Sequence, residues 1–292
     1  MNSPSFVRVV HFKGHHRIHW DRVILEAIRY GLMFFVIVLA ALPLVWMFSS
    51  SLKRQVDIFA MPPIFFFTPT LQEYERVLYN PQFTLALGNS LLVAGGTTLL
   101  TLAVASLAGY ALARYEFPGA RLIILAILSA RLIPGATMVI PYFVLFRTLG
   151  LTDTVHGLIL AYTGFLLPFA AWLMYGFFLE IPSDIEDSGR IDGCSDLGVF
   201  WHIVLPLTRP WLGATAILVF LGAWNEFLYA LILSGRQAKT LPIFLSGFIG
   251  EFRISWAGMF AAATVMVVPA LILTLLAQKN LVRGLTAGAV KG

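Results

Sequence analysis

Charge is scarce in this sequence. Asp, Glu, Lys and Arg together make up 12% of its 292 residues, where about a quarter is usual for a soluble domain. Hydrophobic residues reach 59%, more than a water-facing surface accommodates and enough for several membrane helices of about 20 residues each. The lone cysteine, Cys194, excludes an intramolecular disulfide framework and a Cys-based metal cluster. There is no GxxxxGK[ST] stretch, hence no phosphate-cradling loop of that kind. HExxH, GxSxG and paired intramembrane acids are missing too, which argues against an intramembrane enzyme. No catalytic residue and no metal ligand set is assigned. The net charge of +5 calls for no nucleic-acid partner, because excess Lys and Arg mark the cytoplasmic ends of polytopic proteins.

What the sequence does have is long apolar runs. Residues 1–30 form a basic tail with Arg8, Lys13, Arg17, Arg22 and Arg29. His11, His15, His16 and His19 cluster there, yet no Cys or carboxylate completes a ligand set, and a basic-aromatic tail is the plainer reading. The run at 31–48 is too long for a signal-peptide core and reads as an uncleaved first span. An external loop at 49–84 follows, where Pro62, Pro63 and Pro69 break any helix. Thr70 and Glu73 stand at capping-box spacing and predict a short helix over 71–78. The core, residues 85–278, holds five further apolar blocks at 85–113, 122–146, 157–179, 211–233 and 259–277, with Pro168 expected to break the third of these. In the first of them Gly95, Gly96, Ala105 and Gly109 are small enough to let membrane helices approach closely. Residues 279–292 form a C-terminal tail. The fold class is therefore all-α, a polytopic membrane protein with six transmembrane helices. Lys and Arg gather on the side that holds both termini, which places the termini in the cytoplasm.

The stretch at 180–210 interrupts this apolar pattern with Glu180, Asp184, Glu186, Asp187, Asp192 and Asp196. Ser183 three residues before Glu186 has capping-box spacing, and Gly193 reads as a helix stop. A second helix is expected from near Ser195, with Leu197, Phe200, Trp201 and Val204 on one apolar face. Pro206 and Pro210 end it. By pattern alone the loop is either an interfacial connector or a handle for a soluble partner.

Glu186, Gly193 seven residues later and the ending Ile203-Val204-Leu205-Pro206 resemble the EAA loop of bacterial ABC importer permeases. Asp192-Gly193 fits that pattern as well, whereas Asp187, Ser188 and Cys194 depart from it. Asn89-Ser90-Leu91, the segments 108–114 and 131–134, Trp224-Asn225-Glu226-Phe227 and the ending 284–292 are similar to the smaller permease of maltose-type sugar importers. The resemblance implies a type I ABC importer transmembrane domain in a bacterial cytoplasmic membrane, moving a sugar or related carbohydrate. It implies three kinds of neighbour besides lipid: a second permease, two ATP-binding subunits that carry ATP and Mg, and an extracellular solute-binding protein. It also assigns ATPase coupling to Glu186, Ser188, Gly189, Asp192, Gly193, Ile203, Leu205 and Pro206. This chain itself is expected to bind no cofactor.

Within the membrane, Asn225, Glu226 and Arg131 are candidate translocation-cavity residues, because intramembrane polar groups are costly and tend to be functional. Glu226 either lines a cavity or locks helices together, and pairing with Arg131 is open. Tyr162, Trp172 and Tyr175 are candidates to stack on sugar rings, though packing is the commoner role of such residues. The alternative function is an ion-coupled secondary transporter, which calls for clustered ionisable groups near mid-membrane.

Overall fold

The regular elements are helices throughout residues 20–130, 132–249 and 255–287, the residues described by this computed structural model. The chain divides into two units, Met1–Met47 and Phe48–Gly292. The first is the body of α1 (Trp20–Ser51), which starts inside the stretch read as a tail and is apolar all round its circumference from Gly31 to Met47. The His cluster lies outside the described residues.

The second unit opens with α2 (Gln55–Ile58) and α3 (Gln72–Leu78) in the loop after α1. The expected capping box does not form at α3. Thr70 Oγ1 accepts from the Gln72 amide, and Glu73 instead takes a 2.6 Å bond from Arg76, one turn on. Next come α4 (Pro81–Arg114), α5 (Ala120–Ala130), α6 (Gly135–Thr148) and α7 (Val155–Leu179). Helix α7 runs straight through Pro168 rather than breaking there, so only the carbonyl of Gly164 loses its helical donor. The block at 122–146 does break, with α5 and α6 set at 102°; Arg131, at the joint, is outside the described residues.

The acidic loop holds α8 (Ser183–Ile191), α9 (Asp196–Val199), a π-helical turn (Phe200–Val204) and α10 (Leu205–Leu207). A 77° bend at Thr208 leads into α11 (Arg209–Trp224). The fifth apolar block is not continuous. It stops at Trp224 and resumes as α12 (Leu228–Leu233), followed by α13 (Leu241–Ser246) and α14 (Trp256–Ala287). Among the described residues, four helices are long and apolar enough to cross a membrane alone, and the number reaches six if each of two bent pairs is one span.

Packing centres on α4 against α7, with α11 laid across both and against α14. At Gly109 the backbones of α4 and α7 come close, since a Cβ there would meet the Tyr175 amide nitrogen at 2.8 Å. Ala105 is wholly buried, whereas Gly95 faces open space. At one end of α4, Asn89 donates to the carbonyls of Gln237 and Lys239, and Ser90 Oγ accepts from Leu241. Arg114, at the other end, meets the acidic loop. The separation from Ser90 to Arg114 is about 36 Å at 1.5 Å per residue, so the 234–241 and 182–210 loops sit one membrane thickness apart.

Candidate functional site

The acidic loop is fixed to the membrane helices through one carboxylate. Glu186 is 1% exposed. Tyr110 Oη donates to its Oε2 at 2.9 Å and Arg114 Nε to its Oε1 at 2.6 Å. Arg114 Nη2 also donates to the Ile181 carbonyl at 2.8 Å, pinning the residue that leads into α8. Tyr110 and Arg114 are four apart on α4, hence on one face of its last turns. The expected Ser183–Glu186 capping box is therefore not made. The N-cap is Pro182 and no side chain caps it, because the Glu186 carboxylate is taken by stronger, charge-assisted partners.

Helix α8 ends in a Schellman motif. Gly193, at φ +90°, donates to Arg190 O, and Cys194 donates to Gly189 O, each at 3.0 Å. That turn folds α8 back on the following helix, where the buried Gly189 lies against Ile203 so closely that a Cβ would overlap its Cδ1. Arg190 staples the two pieces, bonding Asp187 at 2.7 Å and Asp196 at 2.9 Å. Asp187, the residue that departs most from the EAA pattern, is thus neutralised within its own chain. A second helix starts where expected, and Ser195 caps it, its Oγ accepting from Gly198.

The apolar face forms differently from the predicted one. The π-turn inserts a residue into the helical register, so Val199, Phe200 and Val204 are buried while Leu197 and Trp201 are 68% and 55% exposed. Ser188 bonds back to the Asp184 carbonyl and stays exposed with Asp192 and Gly193; Ile203, Leu205 and Pro206 are half-buried. The outer surface of the loop therefore shows Ile185, Ile191, Leu197 and Trp201 among exposed acids. The i, i+4 pair Tyr110 and Arg114 was visible in segment 108–114, but its partner was not.

In the membrane, Asn225 is exposed and its Nδ2 donates to the Leu221 carbonyl at 2.9 Å. Glu226 accepts from the amides of Tyr229 and Ala230 at 2.9 and 3.1 Å. It caps α12 where the fifth span is interrupted, a role neither sequence option named. Tyr162 is fully buried and out of reach of a sugar, while Trp172 is exposed and Tyr175 half-buried. The half-buried Tyr142 and the exposed Phe165 both meet the ring of the buried Tyr229.

A family model described as "Binding-protein-dependent transport system inner membrane component" matches residues 23–287. The chain belongs to this family. The permease is 36% identical over 259 residues to the trehalose/maltose transport system permease protein MalG of Thermococcus litoralis, covering 87% of this chain and 93% of that one. It is 38% identical over 256 residues to the trehalose transport system permease protein SugB of Mycobacterium tuberculosis, with the same coverage. Its fold matches a chain in the crystal structure of a bacterial ABC transporter that imports the acidic polysaccharide alginate, with a TM-score of 0.77 at 22% identity, over 91% of this chain and 99% of that chain. The all-α transmembrane fold of an ABC importer is thereby established, and the chain is a transporter permease rather than an enzyme.

Proposed function

We propose that the permease carries a sugar or related carbohydrate across the bacterial cytoplasmic membrane, powered by a separate ATPase pair that grips the 182–210 loop. The observation that carries this reading is the family match over nearly the whole chain, joined to sugar-transport relatives at 36–38% identity. The loop supplies the mechanical half. A buried ion pair to α4, a Schellman turn and the Arg190 staple make it rigid, so a push on its surface moves α4 and α11 rather than dissipating in the loop. Ile191, Leu197 and Trp201 offer an apolar contact for the ATPase, framed by Asp184, Asp192 and Asp196. Glu186, Gly189 and Ile203 hold that surface in place from within. Ser188, Asp192 and Gly193 lie on its exposed side, and Leu205 and Pro206 lead into the bend. ATP and Mg reside on the ATPase pair, a second permease completes the channel, and an extracellular binding protein delivers the sugar at the 234–241 end. Both termini are on the cytoplasmic side.

The test is co-expression with the partner permease and ATPase. Trp201→Glu and Gly193→Pro should abolish co-purification of the ATPase and ATP-driven uptake. If both variants assemble and transport as the unaltered permease does, the loop is not the coupling surface.

A further inference from the structure

Between the bent third span, the middle of α7 and the buried Tyr229 lies a cavity of about 380 Å³. Its wall includes Pro134, Tyr142, Gly164, Phe165, Pro168 and Tyr229. Gly164 is nine residues into α7, about 14 Å along a helix of about 37 Å, so the cavity sits near mid-membrane.

Three rings shape it. The Tyr229 ring is 5.3 Å from both Tyr142 and Phe165, tilted 44° to one and 55° to the other. Rings at such angles form a concave apolar wall instead of filling the space as a stack. Tyr229 Oη is bonded to the Gly135 carbonyl at 3.3 Å, which fixes its ring. Polar groups meet the same wall. Pro168 brings no amide to the carbonyl of Gly164, and the Tyr142 hydroxyl lies so near Gly164 that a Cβ there would stand 2.8 Å from it. Among the described residues, no charged side chain lines the cavity.

An apolar aromatic wall edged by a hydroxyl and a carbonyl that lacks its usual helical donor matches a pyranose ring, which has an apolar C–H face and a rim of hydroxyl donors. A lipid chain needs no polar edge. The volume is in the lower part of the range for small-ligand sites, about 300–1,000 Å³. We infer that this cavity is a subsite for one pyranose unit on the translocation path, so that this subunit touches the cargo through Tyr142, Phe165 and Tyr229. The inference rests on the carbohydrate function proposed above.

The experiment uses the complete transporter in ATP-loaded proteoliposomes with its binding protein. Uptake of radiolabelled trehalose, maltose, diacetylchitobiose and alginate oligosaccharide is screened first. If none is taken up, the carbohydrate function and this subsite fall together. The transported sugar is then supplied on saturating binding protein. Tyr142→Ala and Phe165→Ala should each slow uptake about tenfold, the effect of losing one ring contact of about 1.4 kcal/mol, while still co-purifying with the ATPase pair. Phe165→Tyr should restore the rate, and Gly164→Leu should block it by filling the cavity. Unchanged uptake in both alanine variants overturns the subsite and leaves the carbohydrate function standing. A diazirine derivative of the same sugar should label the 133–142 or 164–168 peptides and be displaced by excess sugar. Labelling confined to the partner permease, or label that excess sugar does not displace, overturns it too.

Discussion

The Glu186 carboxylate and the Arg114 guanidinium meet at 2.6 Å, across 72 residues of sequence, with Glu186 sealed from solvent. The pair joins the end of a membrane helix to the first helix of the acidic loop. Its exposure is asymmetric, since Arg114 keeps 12% of its side-chain surface. Removing the acid leaves a half-buried cation, and removing the arginine leaves a buried anion.

Arg114→Ala is accordingly expected to be the more damaging change. Loss of one member of a buried pair costs about 3–5 kcal/mol, and Arg114→Ala also frees the Ile181 carbonyl. Thermal unfolding of the purified permease complex should place Arg114→Ala below Glu186→Gln, which keeps an acceptor for Tyr110. ATP hydrolysis without sugar uptake should appear in both as the loop loosens.

Gly189→Ala tests the close contact under the Schellman turn. The added methyl overlaps Ile203 and should destabilise by about 1–3 kcal/mol. The double variant Gly189→Ala with Ile203→Val should recover part of the loss in the same melting assay. Equal melting of the single and double variants would show that the contact is relaxed elsewhere.

Asp153 anchors the other end of the molecule. It sits at φ +55°, and its carboxylate accepts from the amides of Gly235, Arg236, Gln237 and Ala238. Burial pushes its pKa up, but those four amides together outweigh it and hold the group below its ordinary value. A carboxyl with a depressed folded-state pKa stabilises above the unfolded-state value and loses that contribution as pH falls through the folded one. Hydrogen exchange at 235–238 should therefore stay slow from about pH 7 to about pH 5 and rise only below about pH 4. Asp153→Ala should show fast exchange, and trypsin cleavage after Arg236, already at neutral pH.

Glu226 separates ATP-driven from ion-coupled transport. Its carboxylate is engaged by the α12 amides, so Glu226→Gln, which keeps one acceptor, should lower uptake by less than about threefold, within the energy of a single cap of about 1 kcal/mol. Uptake should persist with a protonophore present as long as ATP is supplied. Collapse of uptake in both conditions would favour ion coupling.

Much of this was legible in one dimension. Apolar run lengths determine a helical membrane protein because lipid leaves the backbone no other partner than itself. Punctuation by Gly193 and Ser195 determined where α8 stops and α9 starts, since those effects depend on adjacent residues alone, whereas the helix expected to end at Pro206 runs through it to Leu207 and bends at Thr208. The spacing of Glu186, Gly193 and Ile203 to Pro206 was enough to point to the family. What the chain order does not contain is the choice a polar group makes among distant partners. Glu186 had a local option in Ser183 and took Tyr110 and Arg114 instead, because burial strengthens a charge-assisted bond that a solvated cap does not match. The π-turn at Phe200–Val204 shifted a face that perfect helical spacing had placed at Leu197 and Trp201. The cavity walled by Tyr142, Phe165 and Tyr229 exists only where three separate segments meet, and only the tertiary structure decides that.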